Sequence, residues 1–132
     1  MSLDLKFLVV DDSAVMRKVI ISALENKMDV LLSNVLQAVD GVEAVEKAAQ
    51  NNDLTAILMD WNMPNKLGID ALREIRAAGN KTPIIMVTTE GEKTNVVTAI
   101  QSGANNYVVK PFNADDLCNK IRQSCGLVPT VG

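Results

Sequence analysis

Phe7-Leu8-Val9-Val10-Asp11-Asp12 decides how this chain is read: four apolar residues in succession that stop on two adjacent carboxylates. A strand with one face in water alternates apolar and polar residues, so an unbroken run describes a strand covered on both faces, as in parallel sheets. The same pattern recurs downstream. Ala56-Ile57-Leu58-Met59 stops on Asp60, Ile84-Ile85-Met86-Val87 on Thr88-Thr89, and Tyr107-Val108-Val109 on Lys110-Pro111. A weaker run lies around Val35-Leu36.

Stretches of helical spacing fill the intervals. Val15, Met16, Val19, Ile20, Ala23 and Leu24 predict a first helix with one apolar face; Val42, Val45 and Ala49 predict a second, opened by Asp40-Gly41. Ile69, Leu72, Ile75 and Ala78 mark a third that Gly79 ends, and Val96, Val97 and Ile100 a short fourth that stops near Gly103. Leu117, Cys118, Ile121 and Cys125 give a fifth, with Asn113 as cap and Gly126 as stop. Between Lys27 and Asn34, Val30-Leu31-Leu32 fits either an extension of the first helix or the approach to the second strand. Strict alternation of strand and helix implies right-handed crossovers and a parallel sheet with helices on both faces. The expected fold is therefore an α/β three-layer sandwich, (βα)5, and the strand order expected for it, 2-1-3-4-5, is the known flavodoxin-like one and does not follow from the alternation itself. It forms one domain over residues 1–132, with a core at about 5–125 and a short tail at 126–132.

Composition narrows the function. With 48% hydrophobic and 22% charged residues in 132, the chain reads as an ordinary globular protein. A net charge of −3 and no basic stripe argue against a nucleic-acid partner. The absence of histidine removes imidazole acid–base catalysis and the usual zinc sites. Cys118 and Cys125 lie two helical turns apart, too far along a helix for a disulfide, and read as reduced thiols. No apolar run approaches 18 residues, so no membrane insertion is expected, and the expectation is a cytoplasmic monomer.

In an open α/β sheet, functional residues gather beyond the carboxyl ends of the strands. Four strand ends here carry three carboxylates, a hydroxyl pair and an ammonium. Taken singly, each has an ordinary explanation: Asp-Asp before a helix is usually a cap, and a lone Asp after a strand is usually a turn residue. Taken together on one edge, they are complementary in chemistry. Three clustered carboxylates repel one another, one ammonium cannot balance them, and an oxygen-only ligand set suits a hard cation such as Mg²⁺. A carboxylate beside Mg²⁺, a lysine and a hydroxyl is arranged for phosphoryl transfer, and Asp60, alone at a central strand end, is the best nucleophile.

These motifs resemble the receiver domains of bacterial two-component response regulators, in particular the CheY-like chemotaxis branch, over about residues 5–125. The resemblance matches Asp11-Asp12 to the family's acidic pair and Asp60, in Met59-Asp60-Trp61-Asn62-Met63-Pro64, to its phosphorylated aspartate. Thr88 matches the switch hydroxyl and Lys110, in Lys110-Pro111-Phe112, the invariant lysine. It implies that Mg²⁺ is held by Asp11, Asp12, Asp60 and the backbone carbonyl of Asn62, and that the Lys110-Pro111 peptide is cis. It further implies that Tyr107 turns inward on activation, and that Asn62 and Glu90 tune dephosphorylation. Two departures stand out: Lys66-Leu67-Gly68, where Asp-Gly is common, and Thr89 beside the switch residue, where alanine is usual.

The implied protein is no enzyme on a separate substrate; it catalyses only its own phosphoryl transfer and autodephosphorylation. Its expected partners are a sensor histidine kinase and a downstream target on the face formed by helix 4, strand 5 and helix 5, with the flagellar motor switch protein first. A single-domain regulator or phosphorelay intermediate of another pathway, or a receiver cut from a longer regulator, stand as alternatives. Two other classes fit less well. A haloacid-dehalogenase-type phosphatase needs a second aspartate where this chain has Asn62, and a flavodoxin needs a phosphate loop where it has Asp11-Asp12.

Overall fold

The computed structural model describes residues 4–127. Every expected run forms a strand: β1 (Phe7–Val10), β2 (Val35–Ala38), β3 (Ala56–Met59), β4 (Ile84–Thr88) and β5 (Asn106–Val109). They pair in parallel in the order β2-β1-β3-β4-β5. The reading of the apolar runs holds position by position. All residues of β1, β3 and β4 are buried, whereas the edge strands β2 and β5 each leave residues in reach of water.

Alternating side chains divide the core in two. Leu8, Val10, Ile57, Met59, Ile84 and Met86 face one side, where α2 (Gly41–Gln50), α3 (Gly68–Ala77) and α4 (Lys93–Gln101) supply Ala44, Leu72 and Ala99. Phe7, Val9, Leu58, Ile85 and Val87 face the other, against Ile20 and Leu24 of α1 (Ala14–Met28) and Leu117 and Ile121 of α5 (Ala114–Cys125). The result is the expected three-layer sandwich. Helix ends follow the sequence signals. Asp40 and Asn113 cap α2 and α5 by accepting from Glu43 N–H and Asp116 N–H, and Gly126 closes α5 at φ 68°.

The helix faces are narrower than the apolar spacing implied. Val15 and Val19 are 73% and 47% exposed, and α1 buries Ile20, Ala23 and Leu24 of the expected face together with Ile21. Val42, Ala49, Val97 and Ile100 also sit in solvent, while the small residues Ala44, Ala48 and Ala99 take the core positions. A helix packed on a sheet through small side chains lies close to it, and its flanking valines are then lifted clear of the contact. Between Lys27 and Asn34 the second alternative holds, and the chain approaches β2 rather than extending α1. Asp29, left-handed at φ 53°, stops α1; Val30 N–H donates back to the Leu24 carbonyl; and Leu31-Leu32 run exposed into a 3-10 turn at Leu32–Asn34. Cys118 is buried, Cys125 half-buried, and both are free thiols. Among the described residues no helix is long and apolar enough to cross a membrane. Met1–Leu3 and the tail from Val128 lie outside the described residues.

Leu58 is fully buried at the centre of the sheet, so Leu58→Ala should lower unfolding free energy by about 2–5 kcal/mol in urea titrations. Val15→Ser, despite its place in the predicted apolar face, should change it by less than about 0.5 kcal/mol.

Candidate functional site

The parallel ladder continues one residue past the strand ends. Asp11 N–H donates to the Ala38 carbonyl (3.1 Å) and Asp60 N–H to the Val10 carbonyl (3.0 Å), which sets the two aspartates side by side above the middle of the sheet. Beyond β5, Lys110 N–H donates to the Thr88 carbonyl (2.8 Å). Its side chain then reaches back across the sheet edge, placing Nζ 2.7 Å from Asp11 Oδ2 and 3.1 Å from Asp60 Oδ2. Asp11 and Asp60 are buried, Asp12 is exposed, and one carboxylate oxygen from each lies within 4.8 Å of the others. Three strands thus deliver their charged ends to one point.

The capping explanation for Asp11-Asp12 fails. Ser13 caps α1, its Oγ accepting from Met16 N–H (3.2 Å). Asp11 Oδ1 accepts from Ser13 N–H (2.9 Å) and its other oxygen meets Lys110. Asp60 is similarly divided: Oδ1 accepts from Trp61 N–H (2.7 Å) and Oδ2 from Lys110. Burial acts to lower the Lys110 pKa, but the hydrogen bond to Asp11 and the charges of Asp60 and Asp11 outweigh it, and the ammonium ends above its ordinary value.

On the other flank lies a second group. Thr88 is fully buried, and its Oγ1 accepts from Glu90 N–H (3.2 Å). Asn62, exposed at the rim, donates from Nδ2 to the Glu90 carboxylate. Tyr107 lies with its ring buried and its hydroxyl donating to the Glu90 carbonyl. The ring thus already occupies the inward position that the resemblance ties to activation. Burial, then the charges of Glu90 and Asp60, push the Tyr107 phenol up to about 12. Thr89 is exposed and turned outward from the buried Thr88. The Lys110–Pro111 peptide is cis.

The structure therefore gathers Asp11, Asp12, Asp60 and Lys110 at one point, and joins Asn62, Glu90 and Tyr107 through Glu90, with Thr88 held by the same residue. Some contributors were not apparent in the sequence. Arg17 holds the Asp11 carbonyl from NH1 (2.7 Å) and Gln37 from Nε, a link between α1 and β2 that no local pattern announces. Gly68 had a readable signal only as a glycine after a turn. A Cβ there would stand 1.9 Å from the Asp60 carbonyl, so only glycine lets α3 begin that close to the acidic site.

An oxygen-only donor set of this kind fits a hard divalent cation. Comparison with known proteins agrees with this geometry. The family model for the response regulator receiver domain matches residues 7–122. The chemotaxis protein CheY1 of Helicobacter pylori (strain J99) is 44% identical over 124 residues, covering 92% of this chain and 98% of that protein. A chemotaxis protein CheY homolog of Campylobacter jejuni (strain 81-176) is 42% identical, covering 92% and 93%. Among solved structures, the receiver domain of a sensor histidine kinase from Pseudomonas aeruginosa, with a magnesium ion coordinated in its active site cleft, superposes with a TM-score of 0.82. It is 32% identical, over 94% of this chain and 99% of that one. The response regulator domain of Thermotoga maritima CheB gives 0.78 at 34% identity, covering 96% and 100%.

Because the chain contains a single tyrosine, its ionisation can be followed by absorbance at alkaline pH. The midpoint should fall at about 12 in the folded protein. Since the folded-state value lies above the ordinary one of 10.0, the stability this group contributes is complete below pH 10 and is lost as pH rises toward about 12. A midpoint at the ordinary tyrosine value would place the ring in solvent.

Proposed function

The chain belongs to the response regulator receiver domain family, and on that premise we propose that Asp60 accepts a phosphoryl group from the phosphohistidine of a sensor kinase, beside Mg²⁺ held by Asp11, Asp12, Asp60 and the Asn62 carbonyl. The observation that carries this reading is the convergence of Asp11, Asp12 and Asp60 with Lys110 at the carboxyl edge of the sheet. When bound, Mg²⁺ supplies positive charge to the phosphoryl oxygens during transfer.

The chain's own residues account for the rest. An Asp60 carboxylate oxygen attacks phosphorus, the bond from phosphorus to the donor imidazole nitrogen breaks, and that nitrogen keeps the electron pair; an acyl phosphate results. Lys110, already 3.1 Å from Asp60, provides a fixed ammonium for the new charge at little cost in reorganisation. The Thr88 hydroxyl accepts a backbone N–H from Glu90 and keeps its own proton free to donate toward a phosphoryl oxygen. Hydrolysis reverses the modification: water attacks phosphorus and the Asp60 carboxylate leaves. Asn62 and Glu90, hydrogen-bonded to each other at the rim, govern the approach of that water. The chain in this reading turns over only its own phosphoryl group.

Phosphorylation then biases a two-state equilibrium. Drawing Thr88 toward the phosphoryl group and keeping Tyr107 inward favours the arrangement in which Glu90 is held from both sides. The affected surface is α4, β5 and α5, where Val97, Ile100 and Val109 stand exposed. Exposed apolar side chains on these elements are the kind of group a protein target would cover. The likeness to chemotaxis proteins of Helicobacter and Campylobacter supports a place in chemotaxis signalling, with a flagellar switch protein as the target and the cytoplasm as the location. A single receiver unit spanning the chain is part of the same proposal.

Trp61 is the only tryptophan and adjoins Asp60, so its fluorescence reports on the site. Mg²⁺ followed by a small phosphodonor or beryllofluoride should change the emission of the wild-type protein, and Asp60→Asn should lose the phosphodonor response entirely. An Asp60→Asn variant that still becomes phosphorylated would move the acceptor elsewhere.

A further inference from the structure

Residues 61–67 leave β3 immediately after Asp60 and carry Asn62, whose carbonyl is assigned above to Mg²⁺. The two ends of this loop are tied to each other: Gly68 N–H donates to the Trp61 carbonyl (2.8 Å). Nothing in that tie fixes the tip. The tip is fixed by the start of α2. Asp40, buried though charged, divides its carboxylate between two duties. Oδ1 accepts from Glu43 N–H (2.9 Å) and caps the helix, while Oδ2 accepts from Asn65 Nδ2 (2.7 Å). One residue later, Gly41 N–H donates to the Lys66 carbonyl (3.2 Å), at so close an approach that a Cβ on Gly41 would stand 2.6 Å from that oxygen.

The loop itself is folded to meet these contacts. Asn65 adopts a left-handed backbone at φ 67°, and Lys66 N–H donates to the Pro64 carbonyl (2.7 Å). Lys66 also pairs with Glu74 on α3, so the residue found where Asp-Gly is common ties the loop to a second helix. The hydrogen bonds from Glu43 N–H and Asn65 hold the Asp40 carboxyl below its ordinary value.

We infer that Asp40 is a positioning residue for the metal site: by capping α2 and gripping Asn65 at once, it docks loop 61–67 on α2 and sets where the Asn62 carbonyl stands relative to Asp11, Asp12 and Asp60. This rests on the receiver reading of the site. Capping alone does not explain the residue. Ser13 caps α1 with a single hydroxyl oxygen, so a cap in this chain needs no carboxylate. The second oxygen of Asp40 is spent on the loop. A ligand loop already held in place loses less freedom when the cation binds, and groups that orient a ligand from behind commonly contribute about 10–100-fold to metal affinity.

Two substitutions separate the loop contact from the cap. Asp40→Ser keeps a hydroxyl for Glu43 N–H and removes the oxygen that meets Asn65. Asn65→Gly keeps the left-handed backbone and removes the amide. Mg²⁺ titrations followed by Trp61 fluorescence and by calorimetry should show each variant weakened about 10-fold, and the double variant no weaker than either single one, because both remove the same contact. Should Asp40→Ser fail to fold, Asp40→Asn, which keeps one oxygen for Glu43 N–H and sets an amide N–H against that of Asn65, takes its place in the single and the double variant. Unchanged affinity in Asn65→Gly, or effects that multiply in the double variant, would overturn the inference alone. A wild-type protein that binds no Mg²⁺ would overturn the metal reading and the inference with it.

Discussion

Asp11 and Asp60, 1% and 8% exposed, share one ammonium, and the arrangement of the whole sheet edge follows from that shared charge. Two carboxylates on adjacent strand ends repel each other in a region poor in water, and burying either one alone would be costly. Lys110 resolves this from the far side of β4, which ties the end of β5 to the ends of β1 and β3. The clamp spans residues 50 and 99 positions apart in the chain. It is compensation of a limited kind, because one positive charge faces three negative ones once Asp12 is counted. The excess of negative charge is what makes the place suited to a divalent cation, and the fixed ammonium is what suits it to an incoming phosphoryl group.

One residue bonds to several of the elements around this site. Glu90 receives the Asn62 amide and, more weakly, that of Asn95 on its carboxylate, offers its N–H to Thr88 and accepts the Tyr107 hydroxyl on its carbonyl. Side chain and backbone of the same residue therefore meet the rim of the site, the buried hydroxyl beside it, the first turn of α4 and the ring under β5. Thr88 and Tyr107 thus bond to the N–H and the carbonyl of the same residue.

Much of this was written in the local sequence. The three central strands were legible because burial on both faces requires unbroken apolar runs, and a run such as Phe7–Val10 has few other uses. The cap Asn113 was legible, and so was the opening of α2 at Asp40-Gly41, because such signals are bonds between near neighbours in the chain. The site residues were legible by a different route: a parallel sheet puts all its strand ends on one edge, so residues 11, 60, 88 and 110 had to lie near one another once the strands were placed. Helix faces were read too generously. Periodicity shows which residues are apolar, but the depth to which a helix sits on its sheet decides which of them are buried, and Val15, Val42 and Val97 fell outside that contact.

What the sequence by itself determined, then, is the strand pattern, its covered faces and the chemical types at one edge, all of which follow from interactions over a few residues or from the symmetry of a parallel sheet. Only the tertiary structure decided how those groups are held. The pairing of Asp11 and Asp60 with Lys110, the inward ring of Tyr107, the grip of Asp40 on Asn65 and the close approach of Gly41 to Lys66 all join elements remote in the chain. Their geometry is set by how whole layers pack, and a side chain carries no local mark of the distant atom it will meet.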